Sequence, residues 1–174
     1  KYLSAHQDIS FVDEKLGTTT FLWIPIDDIV EENGPITVLP KSHIWARWQK
    51  THNRQISPLV KNNLWIQKKM QPIFMKRGDV LLFDASLIHG SMPNKSGRDR
   101  VAMNTAVCNK NLDLIHYETA NTKLVNKFFV NENFWKAFNY TKPIETNKYR
   151  FETESFVFNK QLGKLNLKWL LGHY

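Results

Sequence analysis

From about residue 5 to residue 108 the chain is a succession of short segments, HQDISFV, TTTFLWIPI, PITVLP, MQPIFM, DVLLFDA, IHGSM and RVAMNTAV, separated by turn-forming residues. Segments this short, rich in β-branched and aromatic residues, are strands rather than amphipathic helices. Leu16-Gly17, Glu32-Asn33-Gly34-Pro35, Arg77-Gly78-Asp79 and the run from Asn94 to Gly97 mark turns, where glycine takes the positive φ that other residues resist. Many short strands with frequent turns predict a mainly β sandwich or barrel.

The pattern breaks in three places. Between Ile44 and Leu64 the sequence is polar, with Trp45 and Trp48, and reads as an insertion loop with some helix. Thr122 to Asn139 spaces Leu124, Val125, Phe128, Phe129, Trp135 and Phe138 roughly as an amphipathic helix would. The tail from Phe156 to Tyr174 carries Leu162, Leu165, Trp169 and Leu170 and is expected to form a short helix on the sheet. A length of 174 residues suits one domain, residues 1–174, with a core over 1–108 and a helical or irregular extension over 109–174. The informative residues begin so close to Lys1 that N-terminal elements of the fold are expected to be missing.

A single cysteine, Cys108, cannot form an intrachain disulfide, which fits a reducing, cytoplasmic setting. There is no apolar run of about 18 residues and no signal-peptide pattern, so no membrane partner is expected. The net charge of +8 is spread along the chain in at most dipeptides such as Lys68-Lys69 and Lys76-Arg77. That distribution argues for a solvated basic surface over a nucleic-acid track.

The residues able to carry chemistry start with His6-Gln7-Asp8. On an extended backbone, residues two apart share a face, so this imidazole and carboxylate can converge on one ion. By itself the pair is a weak motif; His89, after the apolar segment DVLLFDA and before Gly90, offers a third donor. Two imidazoles and a carboxylate leave metal positions open, as in non-haem Fe(II) oxygenases, although a zinc hydrolase uses the same donors. Arg100 heads the segment RVAMNTAV, where it shares a face with Ala102, Asn104 and Ala106. An inward guanidinium there needs an anion, and the distal carboxylate of 2-oxoglutarate matches its planar fork.

In order, His6-Gln7-Asp8, Trp23, the run Glu32-Asn33-Gly34-Pro35-Ile36-Thr37-Val38-Leu39-Pro40-Lys41-Ser42-His43, the run Gly78 to Asp84, His89-Gly90-Ser91 and Arg100 resemble the phytanoyl-CoA dioxygenase family. The resemblance spans roughly residues 5 to 108. It implies a double-stranded β-helix, the cupin-like jelly roll, with a few peripheral helices. It implies His6, Asp8 and His89 as iron ligands and Arg100 with Ser91 as the clamp on 2-oxoglutarate. Trp23 and Gln7 fall where the family places side chains beside that cosubstrate. Asp8 also stands where the halogenase branch of the family has a small residue that leaves room for chloride.

The implied activity is that of an Fe(II)- and 2-oxoglutarate-dependent dioxygenase. It would use O2 to hydroxylate an unactivated C–H bond of a small organic substrate, with the basic charge balance favouring an anionic one, releasing succinate and CO2. The competing readings are a nucleic-acid demethylase on the same fold, which would need a basic track and a nucleotide pocket, and a non-catalytic cupin-like binding module. Lys41, Lys95 and Arg98 lie in loops flanking the expected mouth.

Overall fold

The segment TTFLWIP shows how the sequence sets the architecture. In strand β2 (Thr19–Pro25) residues Thr19, Phe21, Trp23 and Pro25 are buried and the residues between them are partly exposed, the period-two pattern of a strand with one face on a core. Strands β5 (Leu81–Asp84) and β7 (Ala102–Cys108) pair antiparallel with it on either side, in the order β5-β2-β7. A second antiparallel sheet runs β1-β6-β3-β4, from β1 (Leu3–His6), β6 (His89–Ser91), β3 (Ile36–Val38) and β4 (Gln71–Ile73). The computed structural model describes residues 2–51, 66–121, 123–139, 142 and 144–156.

The two sheets share one core. Phe21, Trp23 and Phe83 from the first meet Ile36 and Val38 from the second, with Ile29, Met75 and Leu87 closing the space. Such side chains contribute roughly 1.5–3 kcal/mol each on burial, and their alternation holds each strand in register, because a one-residue slip would turn its apolar face outward. Gly34 makes the turn into β3 with φ of 78°. A Cβ at that position would lie 2.6 Å from the Met92 carbonyl oxygen, so both the turn and the close approach of the following loop require glycine. The chain is mainly β, with antiparallel sheets, as the short segments predict.

Beyond β7 the structure departs from the expected helix over 122–139. Residues Leu124–Phe129 form strand β9, the centre of a three-stranded sheet ordered β10-β9-β8 with β8 (Ile115–Thr119) and β10 (Phe151–Ser155). A strand hydrogen-bonded on both sides can bury residues on both faces. Val125 packs with Ile115 and Tyr117, while Phe128 contacts Phe151, and both are fully buried. Apolar residues three apart then imitate helical spacing, and pairing to two neighbours overrides the local preference.

Only the end of the expected helix is helical. Helix α2 (Glu132–Ala137) follows α1 (Ser42–Trp45) in chain order and begins where the Asn131 side chain accepts a hydrogen bond from the Phe134 N–H at 3.1 Å. Most of the insertion between Ile44 and Leu64, and the tail past Phe156, lie outside the described residues. Among the described residues no helix is long and apolar enough to cross a membrane.

Candidate metal centre

His6 ends β1 and His89 opens β6, and the pairing of these strands sets the two residues opposite each other. Between the paired positions Leu3↔Ser91 and His6↔His89, β1 spends one more residue than β6, an irregularity that re-aims the strand end. The imidazole centroids are 4.3 Å apart, with the planes tilted by 53°. Gly90 makes this approach possible: a Cβ there would fall 2.6 Å from the Leu3 carbonyl oxygen and 3.2 Å from that of Ser4. Phe83 packs its ring 4.9 Å from that of His89 and closes the apolar side.

Asp8 follows the end of β1 and turns its carboxylate between the rings. Oδ1 lies 3.9 Å from His6 Nε2 and Oδ2 lies 3.6 Å from His89 Nε2. Both imidazoles are oriented by backbone: Nδ1 of His6 is 2.8 Å from the Ser4 carbonyl oxygen and Nδ1 of His89 is 3.0 Å from that of Leu87. A carbonyl only accepts, so Nδ1 of each ring donates, and in the neutral imidazole the Nε2 lone pair faces the shared point. Among the described residues these three form a cluster whose donor atoms all lie within 4.8 Å of one another.

The chemistry of the cluster fits a divalent cation. Asp8 Oδ2 is buried and receives no hydrogen bond among the described residues, an acceptor that costs free energy unless a cation meets it. Two neutral imidazoles and one carboxylate suit a first-row transition ion and leave positions for other ligands.

The remaining expected site residues are placed as follows. Arg100 lies just before β7 rather than in it and is half-buried, its guanidinium carbon 5.3 Å from the centre of the Trp23 ring. Burial pushes its pKa below the usual arginine value, and among the described residues no acid or hydrogen-bond acceptor meets it. Trp23 is buried in the shared core. Ser91 sits half-buried at the end of β6, with no hydrogen bond to Arg100 among the described residues.

Gln7 points away from its neighbours. Its Nε2 donates to the carbonyl oxygens of Ala46, at 2.8 Å, and of Ser86. His43 belongs to α1, and His116 is buried beside Glu118 and the rings of α2, apart from the cluster. His52 and His173 lie outside the described residues.

Two features were not legible in the sequence. A cleft of about 720 Å³ opens beside Asp8, bordered by Phe11, Phe21, Asn104 and Trp135. Its Trp135 wall comes from α2, whose position depends on the third sheet. Lys50 and Glu14 form a buried ion pair that reaches Ser86, on the connection leading into β6. Nothing in the spacing of positions 14, 50 and 86 announces that contact.

The family profile described as "Phytanoyl-CoA dioxygenase (PhyH)" matches residues 2–102. A phytanoyl-CoA dioxygenase domain-containing protein 1 homolog from Dictyostelium discoideum is 31% identical over 104 residues, covering 56% of this chain and 37% of the relative. The chain thus spans a little over a third of that relative's length. Among solved structures, the non-heme alpha ketoglutarate dependent carbocyclase SnoK superposes with a TM-score of 0.52 at 17% identity, over 86% of this chain and 55% of that one. The epimerase SnoN in complex with Fe3+, alpha ketoglutarate and nogalamycin RO gives a TM-score of 0.50 at 18% identity, over 65% of this chain and 44% of that one. These likenesses show the fold, a double-stranded β-helix.

Proposed function

The chain belongs to the phytanoyl-CoA dioxygenase family, and on that premise we propose that it carries the metal and cosubstrate site of an Fe(II)- and 2-oxoglutarate-dependent dioxygenase. The observation that carries the reading is the convergence of His6, Asp8 and His89, with both imidazoles turned by backbone carbonyls and with an Asp8 oxygen that no donor among the described residues meets. His6, Asp8 and His89 would hold Fe(II). Together with 2-oxoglutarate and O2, an iron held there would supply the oxidising power to hydroxylate an unactivated C–H bond, with release of succinate and CO2.

The protein's own part is binding, orientation and exclusion of side reactions. Arg100 supplies a half-buried guanidinium with no acid beside it among the described residues, suited to a bidentate carboxylate such as the distal one of 2-oxoglutarate. Trp23 gives that guanidinium an aromatic face, a cation–π contact that favours its position beside the ring. Ser91, on the strand that carries His89, is the second proposed contact for the cosubstrate. The apolar and aromatic wall of the cleft beside Asp8 suits a small organic substrate next to the metal.

Incubation with 2-oxoglutarate, with and without Fe(II) and O2, tests the reading. Succinate formed only when both are present supports it. Succinate no greater than in a protein-free control contradicts it.

A further inference from the structure

Gln7, between the first two members of the donor cluster, is tied into the interior. Its amide donates to the Ala46 carbonyl oxygen and to that of Ser86, which lies on the short connection leading into His89. The Ser86 hydroxyl in turn donates to Glu14 Oε2 at 2.6 Å. Glu14 Oε1 accepts from Ser10 Oγ at 2.9 Å and pairs with the Lys50 ammonium, which also lies 3.2 Å from Ser86 Oγ. The inner members are secluded: Lys50 is 5% exposed, Ser10 1% and Ser86 fully buried, with the Glu14 side chain 8% exposed and Gln7 half-buried where the path reaches the donor segment.

One polar path therefore joins the segment that carries His6 and Asp8 to the segment that carries His89. A buried ion pair is weak evidence for stability, since desolvation offsets its attraction and an apolar replacement is often tolerated. Its geometric demand is strict, because every member must meet its partners or leave a buried polar group unmet. Partners that hydrogen-bond a metal ligand directly change metal affinity roughly 10- to 100-fold when lost; this path reaches the ligands through the backbone that carries them, so the lower end of that range is expected.

We propose that Glu14 and Lys50 are positioning residues for the metal: through Ser86 and Gln7 they hold the two donor-bearing segments at the separation that lets His6, Asp8 and His89 share one ion. This rests on the metal reading above. It predicts that cutting the path weakens and distorts metal binding even where the fold survives. The adjacent acid, Asp13, supplies the control, because it forms a comparable pair with Lys127 of β9 at 2.8 Å on the side of the third sheet.

The experiment uses Co(II) as the probe on the full chain. It compares wild type, Ser86→Ala, Lys50→Met and Lys127→Met by chelator competition, by the visible Co(II) spectrum and by thermal unfolding of the metal-free proteins. Ser86→Ala and Lys50→Met are expected to weaken Co(II) binding by about 10-fold or more and to alter the spectrum. Lys127→Met is expected to lower thermal stability yet keep Co(II) affinity within about 2-fold, as an outer contact away from the path should. Wild-type affinity and spectrum in both Ser86→Ala and Lys50→Met would overturn the proposal, as would an equal loss in Lys127→Met. If Lys50→Met does not fold, Ser86→Ala decides the matter, since it removes one oxygen and leaves the ion pair intact. A wild type that binds no Co(II) overturns the metal reading itself, and this inference with it.

Discussion

The Arg100 guanidinium lies 5.3 Å from the centre of the Trp23 ring, with no acid beside it among the described residues. Aromatic contact orients a guanidinium without neutralising it, so its hydrogen-bonding edge remains for an anion. Charge-assisted bonds to a carboxylate are worth about 1.5–3 kcal/mol each, and lysine lacks the planar fork. Arg100→Lys should raise the 2-oxoglutarate requirement by roughly ten- to several hundred-fold, with about 1.4 kcal/mol per factor of ten. Arg98 is exposed in the preceding turn, and Arg98→Lys should bind like wild type. Calorimetric titration of metal-loaded protein with 2-oxoglutarate checks both, and a greater loss in Arg98→Lys would remove Arg100 from the site.

Gly90→Ala should be costly for a different reason. The new methyl group would meet the Leu3 carbonyl oxygen at 2.6 Å, a rigid neighbour that moves only if β1 and β6 part. Overpacking of this kind costs about 1–3 kcal/mol, and parting the strands separates His6 from His89. Denaturant unfolding and metal titration should therefore fall together. A variant with wild-type values in both would show that the sheet absorbs the methyl group elsewhere.

Asp84 gives a pH dependence. Burial raises its pKa, but the Ser86 N–H, the Thr18 hydroxyl and Arg47 outweigh that and hold it below the usual 3.8. A carboxyl depressed in the folded state adds stability that is fully present above its unfolded pKa and is lost as pH falls through the folded value. Metal-free wild type should therefore lose more stability than Asp84→Asn on acidification from pH 6 to below about 4. Urea unfolding across that range measures it, and parallel losses in the two proteins would refute the assignment.

The two-sheet core was legible because each segment there buries one face, so alternation in residues such as those of β2 reports both strand and orientation. The donors could be named from the chain because His6 and Asp8 sit close together and His89 precedes a glycine that the close approach of β1 requires. The segment RVAMNTAV suggests a strand from Arg100, but the strand starts at Ala102 because Arg100 lies in the approach to it. The third sheet does not show in the pattern because β9 buries Val125 and Phe128 on two faces, which erases the period of two. Glu14, Lys50 and Ser86 carry no local pattern; only the folded chain brings them together.

On the reading proposed above, His6, Asp8 and His89 hold one metal ion. Equilibrium titration of Fe(II) under anaerobic conditions tests it most directly, with wild type beside His6→Ala, Asp8→Ala and His89→Ala. One ion should bind per wild-type chain, and each single variant should lose most of that affinity while circular dichroism shows the metal-free fold retained. One ion bound with wild-type affinity when all three residues are replaced together would contradict it.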